Sequence, residues 1–289
     1  MKVYNLGSLN VDYVYTVDHF VAAGETISSS KLEVFPGGKG LNQSVALARA
    51  GADVVHGALV GEGAEFLADQ MKSSGVDVSK LRRAAGSPGH AIIQVDRNGE
   101  NCIMLYSGTN GALDADYVES FLAGGTAGDA LLLQNETNCI KEAMVLAREK
   151  GMKIAFNPSP YNEKIAALPL ELVDFWFCNE IEGAALTGFN EPDEICKAFL
   201  KKYPASSLIL TLGEEGSIFC SAGCTVKQKP YKATPVDTTA AGDTFTGYFL
   251  ASVAAGKTFA DAMDAASRAS AITVSRMGAS SSIPYLNEI

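Results

Sequence analysis

The chain has 289 residues, 47% of them hydrophobic and 19% charged, enough for one large α/β domain or two small ones around a sizeable core. Its formal net charge is −10, with no basic run, which argues against nucleic acid and anionic membrane surfaces as partners. No apolar run approaches a membrane span, no signal-peptide pattern opens the chain, and six cysteines without a C-x-x-C pair predict a reduced, cytoplasmic protein.

A first strand is predicted over Val3–Gly7. The stretch Val11–Val34 carries short β-prone runs around Gly24 and Glu25. Pro36-Gly37-Gly38-Lys39-Gly40 then opens a helix over Leu41–Ala50, with Leu41, Val45 and Ala48 on one face. A strand over Val54–Val60 and a helix over Ala64–Ser74 follow. Asn98-Gly99, between β-prone runs His90–Asp96 and Asn101–Ser107, is a hairpin signal. Ala91, Ile93 and Val95 alternate on its first strand and Cys102, Met104 and Tyr106 on its second, and these six are expected to share one apolar face.

Beyond the hairpin, strands are predicted over Ala130–Gln134, Lys153–Asn157, Phe175–Cys178 and Leu208–Leu212. Helices are predicted over Lys141–Glu149, Glu182–Thr187, Ile195–Lys202, Thr244–Ala255 and Phe259–Arg276. Cys220 and Cys224 flank a tight turn. This alternation predicts an α/β fold, a mostly parallel central sheet with helices on both faces. The four short β runs outside it would build a small second sheet, read as a lid. One domain over 1–289 is expected, with the lid at about 11–35 and 90–107.

The stretch Val236-Asp237-Thr238-Thr239-Ala240-Ala241-Gly242-Asp243-Thr244-Phe245 carries the most chemistry. Small residues lead into a helical pattern of Phe245, Tyr248, Phe249, Ser252 and Val253. A helix start has unpaired N–H groups and favours negative charge, and Ala and Gly let an anion approach it. Asp243 would repel a phosphate bound there. The conflict resolves if Asp243 acts on a hydroxyl that attacks that phosphate. Upstream, Gly37–Gly40 is neither a Walker A loop nor a dinucleotide fingerprint, but lets backbone approach a ligand, with Lys39 and Asn42 as donors to hydroxyls. His19, His56 and His90 match no motif, which argues against a His-based triad.

Val236–Phe245 resembles the D-T-x-G/A-A-G-D signature of the ribokinase-like (PfkB) carbohydrate kinases, and Gly37-Gly38-Lys39-Gly40-Leu41-Asn42-Gln43 resembles that family's other signature. Further resemblances lie at Leu6–Asp12, Leu132–Glu136, Asn157–Pro160, Asn179–Glu182, Thr211–Gly216 and Val274–Ala279, so the likeness covers nearly the whole chain. It implies a three-layer fold with a β-sheet lid and an ATP-dependent sugar kinase that phosphorylates the 5-hydroxyl of D-ribose. Other readings are a kinase for another small sugar or a nucleoside, and a non-catalytic sugar-binding regulator on the same scaffold.

The resemblance also implies roles. Asp243 would be the base, with Ala240, Ala241 and Gly242 stabilising the transferring phosphoryl group. Asn10, Asp12, Gly38, Lys39, Gly40, Asn42 and Glu136 would hold the sugar. Asn179 and Glu182 would place phosphate and Mg²⁺, and Thr211, Gly213, Gly216 and Ser267 would line the nucleotide. Asp237, Thr239, Thr273, Arg276, Gly278 and Ser282 would bind a monovalent cation such as K⁺. A homodimer through the lid sheet is implied as well. Ser267 stands where the family often has His, Glu62-Gly63 replaces a frequent Asp-Asp, and Tyr106 replaces another His.

Overall fold

A computed structural model describes residues Met1–Ile289. The strands are β1 (Val3–Leu6), β2 (Asn10–Thr16), β3 (Lys31–Gly37), β4 (Val54–Gly57), β5 (Leu59–Val60), β6 (Arg82–Arg83), β7 (Gly89–Val95), β8 (Asn101–Tyr106), β9 (Ala130–Gln134), β10 (Lys153–Asn157), β11 (Phe175–Asn179), β12 (Ser207–Thr211), β13 (Ser217–Ser221) and β14 (Cys224–Gln228). The helices are α1 (Lys39–Arg49), α2 (Glu65–Ser73), α3 (Ala115–Leu122), α4 (Ile140–Glu149), α5 (Glu180–Thr187), α6 (Pro192–Lys202), α7 (Ala241–Ala254) and α8 (Phe259–Val274).

Eight strands form the central sheet in the order β14-β13-β12-β11-β10-β9-β1-β4. All pairs from β4 to β12 are parallel, and β13 and β14 join antiparallel. Both faces of a parallel sheet are covered by helices, so its strands read as continuous apolar runs. Leu131-Leu132-Leu133 shows why. Leu131 and Leu133 enter a core with α3, α4, α5 and α6, while Leu132 enters the opposite core with α1, α2, α7 and α8. Trp176, Phe177 and Cys178 alternate between the same two cores.

The expected parallel sheet is present, with two differences. The run Val54–Val60 is broken. β4 stays in the main sheet, while β5 pairs with β6. The Phe121 ring lies so close to Gly57 that no Cβ would fit there, and the Tyr117 hydroxyl donates to the Ala58 carbonyl at 3.1 Å. Both aromatics come from α3, a short helix that the strand–helix pattern passed over and that Asp114 caps through the Tyr117 N–H. The second omission is the hairpin β13–β14, whose turn falls at the Cys220–Cys224 segment as expected. Its register opposes Cys220 to Thr225 and Cys224 to Ser221, and all six cysteines are free.

A separate four-stranded sheet has the order β3-β2-β7-β8. Its hairpin is the Asn98-Gly99 one, but its faces differ from the expectation. Ala91 opposes Leu105 and Ile93 opposes Ile103, whereas Met104 opposes Ile92 and Tyr106 opposes His90. Side chains alternate between faces along a strand. Ala91, Ile93 and Val95 therefore do not share a face with Cys102, Met104 and Tyr106. The alternation on each strand was legible; the relative register was set by the turn.

Candidate active site

Strands β9 to β12 end at one edge of the sheet, where ligands of open α/β folds bind. The N-termini of α1 and α7 meet there. Gly247 on α7 packs so closely on Ala46 of α1 that a Cβ would overlap it. One turn earlier on each helix stand Asp243 and Asn42. The close crossing therefore sets Asn42 and Gln43 against Asp243. Asn42 Nδ2 donates to Asp243 Oδ2 at 3.0 Å and Gln43 Nε2 donates to Oδ1 at 2.9 Å.

Asp243 lines a cleft of about 240 Å³ together with Lys39, Asn157, Asn179, Glu182, Thr211 and Ala240–Gly242. Ala240 has φ 62 at the start of α7, a left-handed conformation that costs an L-residue roughly 1–2 kcal/mol. It turns the chain into the helix while the Ala241 N–H donates to the Thr238 carbonyl. The N–H groups of Gly242 and Asp243 have no backbone acceptor, and a Cβ at Gly242 would meet no atom within 4 Å. The helix start is thus an open cradle of N–H donors.

Asn179 and Glu182 also line this cleft, and they form the capping box of α5. Asn179 Oδ1 accepts from the Glu182 N–H at 2.8 Å, and Glu182 Oε2 accepts from the Asn179 N–H at 3.0 Å. Asn179 is thus both the cap of α5 and part of the cleft wall. No cluster of three His, Cys, Asp or Glu side chains that could hold a metal is present. The cleft wall offers the carboxylates of Glu182 and Asp243, a donor set that fits Mg²⁺, which keeps its waters and needs only one or two carboxylates.

The residues expected to hold the sugar converge through Lys39. Ser8 Oγ and the Lys39 N–H both donate to Glu136 Oε2. Asn110 Nδ2 donates to Asn10 Oδ1 at 2.7 Å. Asp12 lies over Gly37 so closely that any Cβ there would overlap its carboxylate, and Gly38 has φ 96. Gly40 packs against the backbone of Gly7 and Ser8. Burial lowers the Lys39 pKa, but the surrounding Asp243, Glu136, Glu182 and Asp12 outweigh it and hold the ammonium above its ordinary value. Burial also raises Glu136. Burial, with Glu136 beside it, pushes Asp12 up to about 7.

That raised value has a pH consequence. A carboxyl raised on folding contributes stability that is full at acid pH and is lost as pH rises through about 7. Above 7, Asp12 is a carboxylate, and if it holds the sugar as expected it does so by accepting from hydroxyls. Below 7 it is protonated, and sugar affinity is expected to fall by about tenfold per pH unit where only the anion binds. Calorimetric titration with the sugar in the absence of nucleotide should show an inflection near 7 that Asp12→Asn removes. An inflection that survives Asp12→Asn would refute this.

Asp237 staples two loops. Its Oδ1 accepts from the Thr239 N–H at 2.9 Å and its Oδ2 from the Gly278 N–H at 3.0 Å. The Val236 N–H donates to the Val274 carbonyl at 2.7 Å. Thr273 Oγ1 donates to the Ala269 carbonyl, Ser282 Oγ to the Ala279 carbonyl, and the Arg276 guanidinium pairs with Glu288. These side chains are spent internally, so a cation held here would rest on backbone carbonyls. Gly213, Gly216 and Ser267 lie outside the cleft lining. The first two form the β12–β13 turn, where the Leu212 N–H donates to the Gly216 carbonyl at 2.9 Å, and Ser267 is buried on α8. Asn157, Ser159 and Thr238 line the cleft but were not assigned site roles, although Asn157-Pro158-Ser159-Pro160 was a visible motif.

The family model for pfkB family carbohydrate kinases matches residues 2–286. The chain is 35% identical over 295 residues to a ribokinase of Haemophilus influenzae, covering 98% of this chain and 95% of that protein. It superposes on a ribokinase from Cryptococcus neoformans in complex with ADP with a TM-score of 0.87 and 31% identity, over 99% of this chain and 98% of that one. An Arabidopsis thaliana ribokinase complexed with ribose and ATP gives a TM-score of 0.86 and 25% identity, over 99% and 96%.

Proposed function

The chain belongs to the pfkB family of carbohydrate kinases, and we propose that it transfers the γ-phosphoryl group of ATP to the 5-hydroxyl of D-ribose with Asp243 as base. The observation that carries this is the placement of Asp243. Its carboxylate is gripped by Asn42 and Gln43 at the mouth of an open N–H cradle, between the phosphate cleft and the Lys39–Glu136–Asp12 group. The full-length likeness to a ribokinase complexed with ribose and ATP, and to another complexed with ADP, supports the substrate pair.

Asp243 takes the proton of the primary hydroxyl as its oxygen bonds to the γ-phosphorus. The bond from that phosphorus to the β–γ bridging oxygen breaks, and ADP leaves. The Gly242 and Asp243 N–H groups and the dipole of α7 face the charge that builds on the phosphoryl oxygens. Lys39, placed among four carboxylates, offsets their repulsion of an anionic substrate. Asn10, Asp12, Asn42 and Glu136 supply acceptors and donors for sugar hydroxyls. Asn179 and Glu182 would hold Mg²⁺, which shields phosphate charge when bound. Asp237, Thr239, Thr273, Arg276, Gly278 and Ser282 would surround K⁺, a weakly hydrated ion suited to carbonyls.

ATP turnover over a panel of pentoses, hexoses and nucleosides tests the assignment. D-ribose should have the highest specificity constant, activity should require Mg²⁺, and K⁺ should raise it above Na⁺ or Li⁺ at fixed ionic strength. A better nucleoside or hexose moves the substrate assignment, and a flat response to K⁺ removes the cation loop.

The sheet β3-β2-β7-β8 serves in this reading as a lid and as a homodimer surface. Leu32, Val34, Met104 and Tyr106, which the register puts on one face, are all about half exposed, as are Ile103 and Leu105 on the other, apolar area that a free edge sheet leaves uncovered. Light scattering at micromolar concentration should give about twice the 30.3 kDa chain mass, reduced by Met104→Asp with Leu105→Asp. A wild-type mass of one chain refutes the dimer. Free cysteines throughout suit a reducing compartment such as the cytoplasm, and no helix is long and apolar enough to cross a membrane.

A further inference from the structure

We infer that Gln43 is a positioning residue for the base Asp243, with its amide polarity dictated from inside the sheet by Gln134 and Asn5. The inference rests on the reading of Asp243 as base. Gln43, Gln134 and Asn5 are each fully buried, and none belongs to the sugar or phosphate groups described above. They form one chain of hydrogen bonds that starts at a backbone carbonyl. Asn5 Nδ2 donates to the Gly40 carbonyl at 2.8 Å and to Ser44 Oγ at 2.8 Å. A backbone carbonyl only accepts, so the Asn5 amide has one possible orientation, with Oδ1 turned toward Gln134.

Gln134 Nε2 donates to Asn5 Oδ1 at 3.0 Å and to Gln43 Oε1 at 2.7 Å, which spends both of its hydrogens. Gln43 Oε1 is thereby fixed as an acceptor, and only its NH₂ is left for Asp243 Oδ1. The far end of the network adds no charge. Ser44 Oγ bonds His56 Nδ1 at 2.8 Å, and burial pushes His56 down to about 3, so it is neutral at physiological pH.

A glutamine amide is nearly symmetric in shape, and a flip would set a carbonyl oxygen against the Asp243 carboxylate. The network forbids that flip. It therefore fixes the plane and rotamer of the carboxylate, leaving its remaining lone pairs aimed at the cleft. The amide chain does this without adding a charge of its own beside the base. The Asn42 grip on Oδ2 sets the other oxygen, so the carboxylate is held at both ends by donors of one helix.

The test uses the full-length enzyme with Gln43→Met and Gln134→Met, each alone and combined with Asp243→Asn. Phosphoryl transfer is followed in single turnover with ATP and ribose, and thermal melting checks the fold. A base misplaced by about 1 Å loses on the order of 10²-fold in rate. Gln43→Met is expected to show about that loss with KM for sugar and ATP within about twofold, because uniform binding is untouched. Gln134→Met, which contacts neither the base nor the cleft, should show a smaller loss of the same kind. Neither should slow Asp243→Asn further, because residues acting as a unit are non-additive.

Gln43→Glu, which keeps the size and turns an acceptor on Asp243, provides the same test if a Met variant fails to fold. A near-normal rate in folded Gln43→Met or Gln43→Glu, a loss carried by KM, or losses that multiply with Asp243→Asn would overturn the inference. If Asp243→Asn itself keeps its rate, the base reading fails. If Asp243→Asn is slow and the Gln43 variants are not, only the positioning role fails.

Discussion

Asp243→Asn is expected to lower the rate of phosphoryl transfer by about 10²–10⁴-fold while KM for sugar and ATP changes little. The carboxylate stands where the hydroxyl must lose its proton, and both its oxygens are already oriented by Asn42 and Gln43. An asparagine keeps the shape and removes the proton acceptor. It also faces two amide donors, which an Asn NH₂ cannot satisfy at both positions, so a small loss of stability accompanies the kinetic loss. Purified variant and wild type compared in single turnover decide the matter. Near-normal turnover would sink the proposed mechanism.

Gly242→Val should fold and bind sugar, yet transfer phosphate about 10²–10³-fold more slowly, the scale set by losing a donor to a developing oxyanion. A Cβ at position 242 meets nothing within 4 Å, and its backbone is in the first turn of α7. The protein itself has room for the side chain. What the side chain takes is the space in front of the free N–H groups, where the phosphoryl oxygens would sit. Melting temperature measured beside the rate separates the two effects. An unchanged rate would show that the helix start is not the cradle.

Much of the local geometry around Asp243 is legible in the residues alone. The small-residue entry to α7 and the placement of Asp243 are local features, because helix starts and close backbone approaches are dictated by a few neighbouring residues. The alternating strands were legible for the same reason. Leu131–Leu133 and Trp176–Cys178 are buried on both faces, and period-two chemistry needs only the strand itself. Boundaries gave way where a distant element intervened. Phe121 and Tyr117 on α3 end β4 and divert β5, and nothing within Val54–Val60 carries that information.

Register was the other loss. Each strand of the Asn98-Gly99 hairpin alternates as expected, but the turn pairs Ala91 with Leu105 rather than placing it with Met104 and Tyr106. A one-residue difference in pairing moves a whole row to the opposite face. The role of Gln43 is hidden in the sequence for a related reason. Its signature neighbours Lys39 and Asn42 suggest ligand contacts by residue type, whereas its partners, Asn5 and Gln134, sit on two different strands. Only their adjacency, β1 beside β9, assembles the network.

The most direct measurement is the identity of the product formed from wild-type enzyme, Mg-ATP and D-ribose, read by phosphorus NMR. The account predicts ADP and ribose 5-phosphate in equal amounts, with the new phosphorus coupled to the two C5 protons. Phosphate appearing on the 1-hydroxyl, or ATP hydrolysed to ADP and inorganic phosphate while ribose stays unmodified, would contradict it.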